Sequence, residues 1–179
     1  MKTYTDIELV DLANGGNARA LEHLFDKYYM TVYSLAYKWS GVKEDAEDIA
    51  QDVFVKLVRK LHTFGQKSSF KTWLYRIVIN TAKDFSRKRA GKQAYESDVE
   101  PEAGGHNPVG SAKDTLETAR LFAAIDRLPL KQKEAILLVF GEGLSHKGAA
   151  RALGCAETTI SWRIFQARKG LKKSLERET

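Results

Sequence analysis

Arg76, Asn80, Lys83 and Arg87 recur at steps of four, three and four residues within FKTWLYRIVINTAKDFSRKR (Phe70–Arg89). At helical pitch they share one side of a helix. Three cations and an amide in a line suit the phosphates of a polyanion with bases beside them. Phe70, Leu74, Ile77, Thr81 and Phe85, flanked by Trp73 and Val78, form the other side, a stripe that packs on a core.

A second constellation follows in SHKGAARALGCAETTISWRIFQARKGLKK (Ser145–Lys173), which has helix-turn-helix spacing. Ala149, Ala150 and Leu153 pack a first short helix, and Gly154 supplies the left-handed stop that the turn needs. In the second helix Ile160, Ile164, Ala167 and Leu171 point inward. Thr158, Ser161, Trp162, Phe165, Gln166 and Lys169 point away, with Arg163 and Arg168 at the edges. A helix that reads the major groove needs such an outer face, with side chains long enough to reach base edges. Trp162 and Phe165 on an outward face have no use in an isolated soluble helix.

The elements that hold these faces are helices, with almost no strand signal. Periodicity predicts helices at Asp6–Asn14, stopped by Gly15–Gly16, at about Ala18–Trp39, ended by Gly41, and at about Glu44–Leu61. The third of these has acids in its first turns and Lys56, Arg59 and Lys60 in its last, which complements the helix dipole. His62–Ser69 reads as a polar loop before the Phe70 helix. Gly91–Thr115 is rich in Gly, Pro and acids and reads as a flexible linker. Helical pattern resumes near Leu116, and Pro129 suits the first turn of a helix to about Phe140. The fold class is all-α: two small helical domains, residues 1–90 and 116–179, joined by a flexible acidic linker at 91–115, the C-terminal one a helix-turn-helix.

Charge follows the same division. The net charge of +6 resolves into +4 over residues 1–90, −3 over 91–115 and +5 over 116–179. Two basic blocks around an acidic linker favour nucleic acid or an anionic surface as partner. At 43% hydrophobic residues the chain can bury cores and is not a disordered tail. Cys155 is the single cysteine, so no intramolecular disulfide forms, which fits a reducing cytosol. It reads as a small buried filler rather than a redox sensor. His23, His62, His106 and His146 lack metal-ligand spacing, and no metal or cofactor is expected. The N-terminus has acids where a signal peptide needs an apolar run, and no stretch approaches a membrane span. A cytoplasmic protein without membrane insertion is expected.

With these segments in place, the chain resembles a bacterial RNA polymerase sigma factor of the extracytoplasmic-function (ECF, group 4) class. DAEDIAQDVFVKLVRKL (Asp45–Leu61) resembles the family's core-polymerase-binding helix. SSFKTWLYRIVINTAKDFSRKR (Ser68–Arg89) resembles its helix for the promoter −10 element, and Leu128–Leu171 its −35-reading domain. The resemblance implies a non-enzymatic protein that guides core RNA polymerase to promoter DNA. It implies an anti-sigma factor as a further partner, at the membrane if that factor is membrane-bound, and no small-molecule substrate. It places polymerase contacts at Asp45, Asp48, Gln51, Asp52 and Lys56. It places the capture of a flipped −10 base in the His62–Ser69 loop, with His62, Phe64, Gly65, Lys67 and Ser68, followed by Arg76, Asn80, Lys83 and Arg87. A base that leaves the stack must recover its cost in pocket contacts, and cations plus aromatic faces hold single strands. Phe70 and Trp73 read as core. Asn80 has two jobs open to it, a base edge or the loop backbone. The −35 contacts implied are Thr158, Ser161, Trp162, Arg163, Phe165, Gln166, Arg168 and Lys169.

Three departures from the family pattern bear on promoter preference. Lys147 and Gly148 stand where Glu is usual, so Ser145 lacks a capping-box partner. Trp162 replaces a small residue, and Gln166 replaces an Arg that would bind guanine. A stand-alone helix-turn-helix regulator is the second reading; it would bind duplex without polymerase. An enzyme is a third, but no nucleophile–base arrangement, phosphate-cradling loop or paired acid cluster supports it.

Overall fold

A computed structural model describes residues 4–96 and 112–176, with side chains for 4–91 and 117–176. Among the described residues, eight α-helices follow one another: α1 (Asp6–Asn14), α2 (Ala18–Ser40), α3 (Lys43–Lys60), α4 (Phe70–Glu96), α5 (Ala112–Asp126), α6 (Leu130–Ile136), α7 (His146–Leu153) and α8 (Glu157–Glu176). No strand occurs among the described residues.

Local chemistry sets most boundaries. Thr5 and Glu8 form a capping box: the Glu8 N–H donates to Thr5 Oγ1 at 3.3 Å and the Thr5 N–H to Glu8 Oε2 at 2.8 Å. Asn17 caps α2, accepting from the Ala20 N–H at 3.2 Å. Gly41 closes α2 with φ +71°, donating its N–H to Tyr37 O. Ser69 accepts from the Thr72 N–H at 3.1 Å and starts α4. Two boundaries differ from the periodic pattern. α4 runs past Gly91 to Glu96, and α5 begins at Ala112 rather than near Leu116. One interior glycine costs a helix only about 1 kcal/mol, so Gly91 by itself does not end α4. The rest of the linker expected at 91–115, residues 97–111, lies outside the described residues. The helix expected over Pro129–Phe140 divides into α6 and a π-helical turn, Leu137–Gly141.

α1 packs on α2, α2 on α3 and α3 on α4; α6 and α7 pack on α8, and α5 also rests on α8. The N-terminal core holds Leu24, Leu35, Ile49, Leu57, Leu74 and Val78, each fully buried. Phe70 sits at its end against Tyr28, Phe64 and Trp73, with ring centroids 5.2, 5.5 and 5.7 Å away. The C-terminal core is built on Ala135, Leu138, Ala149, Ile160 and Ala167. The two units also touch, through α4 against α7 and α2 against the π-helical turn.

Candidate nucleic-acid and polymerase interfaces

α8 carries one bare face. Gly154 takes φ +65° and turns the chain from α7 into α8. Ser145 caps α7 by accepting from the Gly148 N–H at 3.1 Å. Ile160, Ile164 and Ala167 are buried, which turns Trp162 and Phe165 outward at 59% and 65% exposure. Thr158, Arg168 and Lys169 are exposed, and Gln166 is half-buried. Two members of the expected −35 set have internal partners. Ser161 Oγ donates to Glu157 O at 3.2 Å and lies 2.9 Å from His146 Nδ1. With its one hydrogen so placed, the hydroxyl accepts from His146. Arg163 donates to Cys155 Sγ at 3.7 Å. Cys155 is half-buried beside the turn.

α4 presents its polar residues as the periodicity predicts, but three of them have partners, two of these in the C-terminal unit. Asn80 is exposed, and Arg87 is exposed and paired with Asp84. Arg76 Nε donates to Ala152 O at 3.1 Å and Nη2 to Arg151 O; Lys83 Nζ lies 3.0 Å from Glu134 Oε1. Burial first, then the hydrogen bond to Glu142 and its charge, hold the Tyr75 hydroxyl well above the usual tyrosine range. It therefore remains a donor to that carboxylate, at 2.8 Å.

In the loop before α4, His62, Gly65 and Lys67 are exposed and Ser68 is half-buried. Gln66 is the one non-glycine with positive φ among the described residues, at +54°. Phe64 is 8% exposed and packs on Phe70 and Trp73, so it anchors the loop instead of offering a free ring. A cleft of about 520 Å³ between α3 and α4 is lined by Lys56, Arg59, Lys60, Trp73, Asn80 and Thr81, among others. Thr81 Oγ1 is buried there with no hydrogen-bond partner.

The expected polymerase residues on α3 do not form one patch. Asp48 and Gln51 line a groove of about 710 Å³ between α2 and α3, with Phe25, Tyr29, Phe54, Val55 and Val58 as its apolar wall. Asp52 is exposed outside that groove. Asp45 pairs with Arg89, and Lys56 with Asp84 at 3.3 Å, so both brace α3 against α4. Burial raises the Asp45 carboxyl, Arg89 opposes the rise, and Asp48 and Glu44 add to it. Burial also pushes Asp84 upward, but hydrogen bonds from Arg87 and Lys56 and their charges outweigh it, leaving that carboxyl below its usual range.

Against known families, residues 24–92 match Sigma-70 region 2 and residues 118–171 match Sigma-70 region 4. The chain belongs to the extracytoplasmic-function sigma factors. It is 34% identical to the RNA polymerase sigma-H factor of Pseudomonas aeruginosa, over 96% of this chain and 94% of that one. It is 32% identical to the ECF sigma-E factor of Escherichia coli K12, over 96% and 95%. Among solved structures it is similar to CnrH in complex with the cytosolic domain of CnrY (TM-score 0.71, 26% identity, 96% and 97% coverage). It is also similar to RpoE of Bartonella quintana in complex with the anti-sigma factor NepR (TM-score 0.70, 30% identity, 87% and 96%).

An ECF sigma factor is a transcription initiation factor that brings core RNA polymerase to promoter DNA, and this accounts for two helices with cationic outward faces in one small chain. The stand-alone regulator explains only one of them. No helix among the described residues is long and apolar enough to cross a membrane. The groove wall of this sigma factor went unread in the sequence because Tyr29, Val55 and Val58 look like extra width on two apolar stripes. Their exposure, 46%, 47% and 49%, appears only once α2 and α3 are packed.

Proposed function

We propose that this sigma factor divides its work between residues 1–90, which bind core polymerase and the −10 element, and residues 116–179, which bind the −35 element, with 91–115 joining them. The groove between α2 and α3 takes an apolar and basic helical element of the polymerase, with Phe25, Tyr29, Val55 and Val58 as its wall and Asp48 and Gln51 at its rim. Asp52, Lys56 and Asp45 contribute charge around it. On the −10 side Arg76, Lys83 and Arg87 take phosphates, and Asn80 a base edge. The loop with His62, Gly65, Lys67 and Ser68 holds an unstacked base, with Phe64 behind it.

The bare aromatic pair on α8 carries the −35 reading. Trp162 and Phe165, one turn apart and exposed, suit thymine methyl groups, and Gln166 suits adenine N6 and N7. Thr158, Arg168 and Lys169 supply phosphate contacts, while Ser161 and Arg163 position the helix. The −35 element read this way is richer in A·T pairs than one read by arginine.

An anti-sigma factor holds the chain inactive in the cytoplasm, or at the membrane if that factor is membrane-bound. This reading is supported by the two similar structures, one bound to an anti-sigma factor and one to a cytosolic domain. The test is to mix the purified chain with bacterial core polymerase and sequence transcripts from fragmented genomic DNA. Discrete starts sharing two spaced motifs, absent without the chain, are expected. No specific transcripts, with duplex binding by the chain alone, would overturn the assignment.

A further inference from the structure

The seam between the two units closes at some points and opens at others. Lys38 Nζ meets Glu142 Oε1 at 2.8 Å, and Lys83 Nζ meets Glu134 Oε1 at 3.0 Å. Beside Arg76 the seam opens into a cavity of about 820 Å³. One wall is the loop before α4, with Gly65, Lys67 and Ser68, and α4 itself through Trp73 and Arg76. The other is the turn from α7 into α8. Ligand clefts run from about 300 to 1,000 Å³, so a molecule of nucleotide size fits. The cations lining it are Lys67, Arg76, Lys147 and Arg151; the carboxylate is Glu157, so four positive charges less one negative leave +3. Among the described residues no ion pair holds Lys67, Lys147 or Arg151. Arg76 spends two of its five N–H donors on the carbonyls of Arg151 and Ala152, and three remain. Cations gathered between low-dielectric walls repel one another and concentrate anions among them. Trp73 and Phe64, with ring centroids 5.4 Å apart, add an aromatic wall. A side chain added at Gly65 would meet nothing within 4 Å, so the backbone there is open to close approach.

We propose that this cavity binds a small phosphorylated molecule with a planar ring, of the nucleotide class. Lys147, Arg151 and Arg76 take its phosphate oxygens, and Trp73 takes the ring. Bonds from ammonium and guanidinium groups to phosphate are charge-assisted, and arginine adds its forked geometry. Lys147 and Arg151 stand four residues apart on α7, so they lie side by side on one face. The ring packs on an aromatic side chain, which prefers an offset or edge-on partner. Walls on both sides suit one nucleotide better than a continuous strand. Neither Lys147 nor Arg151 belongs to the DNA or polymerase sets above. A DNA phosphate carries the same chemistry as a free nucleotide, and the test separates the two sources.

Cys155, the single cysteine of the chain, lines the cavity half-buried and reports its occupancy. The test measures the rate at which a thiol reagent modifies Cys155 in the full chain, beside a calorimetric titration. The probes are ATP without magnesium, inorganic tripolyphosphate and a short single-stranded oligonucleotide. ATP is expected to bind at one site and to slow the modification, and tripolyphosphate to do the same more weakly, through the phosphate contacts alone. Lys147→Ala/Arg151→Ala should weaken ATP binding about tenfold or more, with helicity unchanged. Should that variant lose helicity, Ala156→Glu sets a carboxylate at the exposed rim of the same cavity and should weaken ATP likewise. Protection of Cys155 by the oligonucleotide alone would assign the cavity to DNA and overturn the proposal. So would the absence of saturable ATP binding, or ATP binding that leaves Cys155 unprotected or that a folded variant does not weaken.

Discussion

α4 and α8 share a design. Each lays an apolar stripe on its own domain and turns cations outward, and the two polar faces look equally free in a helical projection. In the fold they differ. The α4 face spends Arg76 and Lys83 on the C-terminal domain, whereas the α8 face shows Trp162 and Phe165 to solvent with nothing over them. An outward face is defined by its own helix, but a free face is defined by every other element. Helical periodicity therefore locates candidate DNA contacts without saying which are available.

The largest expected effect separates the two scaffolds. Phe70→Ala removes the ring that locks the start of α4 and should cost about 3–5 kcal/mol of N-terminal stability. Thermal melting should lose its N-terminal contribution while −35 duplex binding persists. Loss of both would mean that the two domains fold as one unit and the contrast between them is overdrawn.

Next, Trp162→Ala should weaken −35 duplex binding by roughly 1–3 kcal/mol, most at A·T positions. Anisotropy with single-base-pair replacements in the duplex checks this, and an equal loss at every position would assign Trp162 a packing role instead. Arg76→Ala sharpens the comparison because its two roles pull apart. In the holoenzyme it should lower promoter opening roughly tenfold and reduce the slope of log affinity against log salt by about 1. In the free chain the same change should loosen the domain seam, seen as a larger radius of gyration.

The smallest effect is titrational. Asp84 has a lowered carboxyl value through Arg87 and Lys56. Its contribution is complete above the ordinary carboxylate range and is lost as pH falls through the lowered value. Asp84→Asn should flatten the acid limb of the stability curve slightly, the effect being muted by its exposure. Asp45, with a raised value, works the other way: its contribution falls as pH rises through that value. Chemical melts from the acid range to neutrality distinguish the two.

Much of the molecule was legible before any coordinates. The stops of α1, α2 and α7 are local facts, written in Gly15, Gly41 and Gly154. The outward set of α8 follows from its 3.6-residue period. Other features depend on partners distant in sequence. Asp45 and Lys56 look like free charges on α3, but Arg89 and Asp84 claim them. Phe64 looks like a stacking platform until Phe70 and Trp73 close over it. Gly91 looks like the end of α4, yet its neighbours carry the helix on to Glu96.

By itself the sequence determined that this is an all-helical, basic, two-part chain with two candidate DNA-reading helices and an ECF sigma pattern, because periodicity, capping and charge are local and additive along a chain. Only the tertiary structure decided which polar residues are spoken for, where the apolar groove between α2 and α3 lies, and that two buried glutamates tie the C-terminal unit to α2 and α4. Those depend on which surfaces meet, and a buried charge reveals its purpose only when its partner, far away in the sequence, is seen beside it.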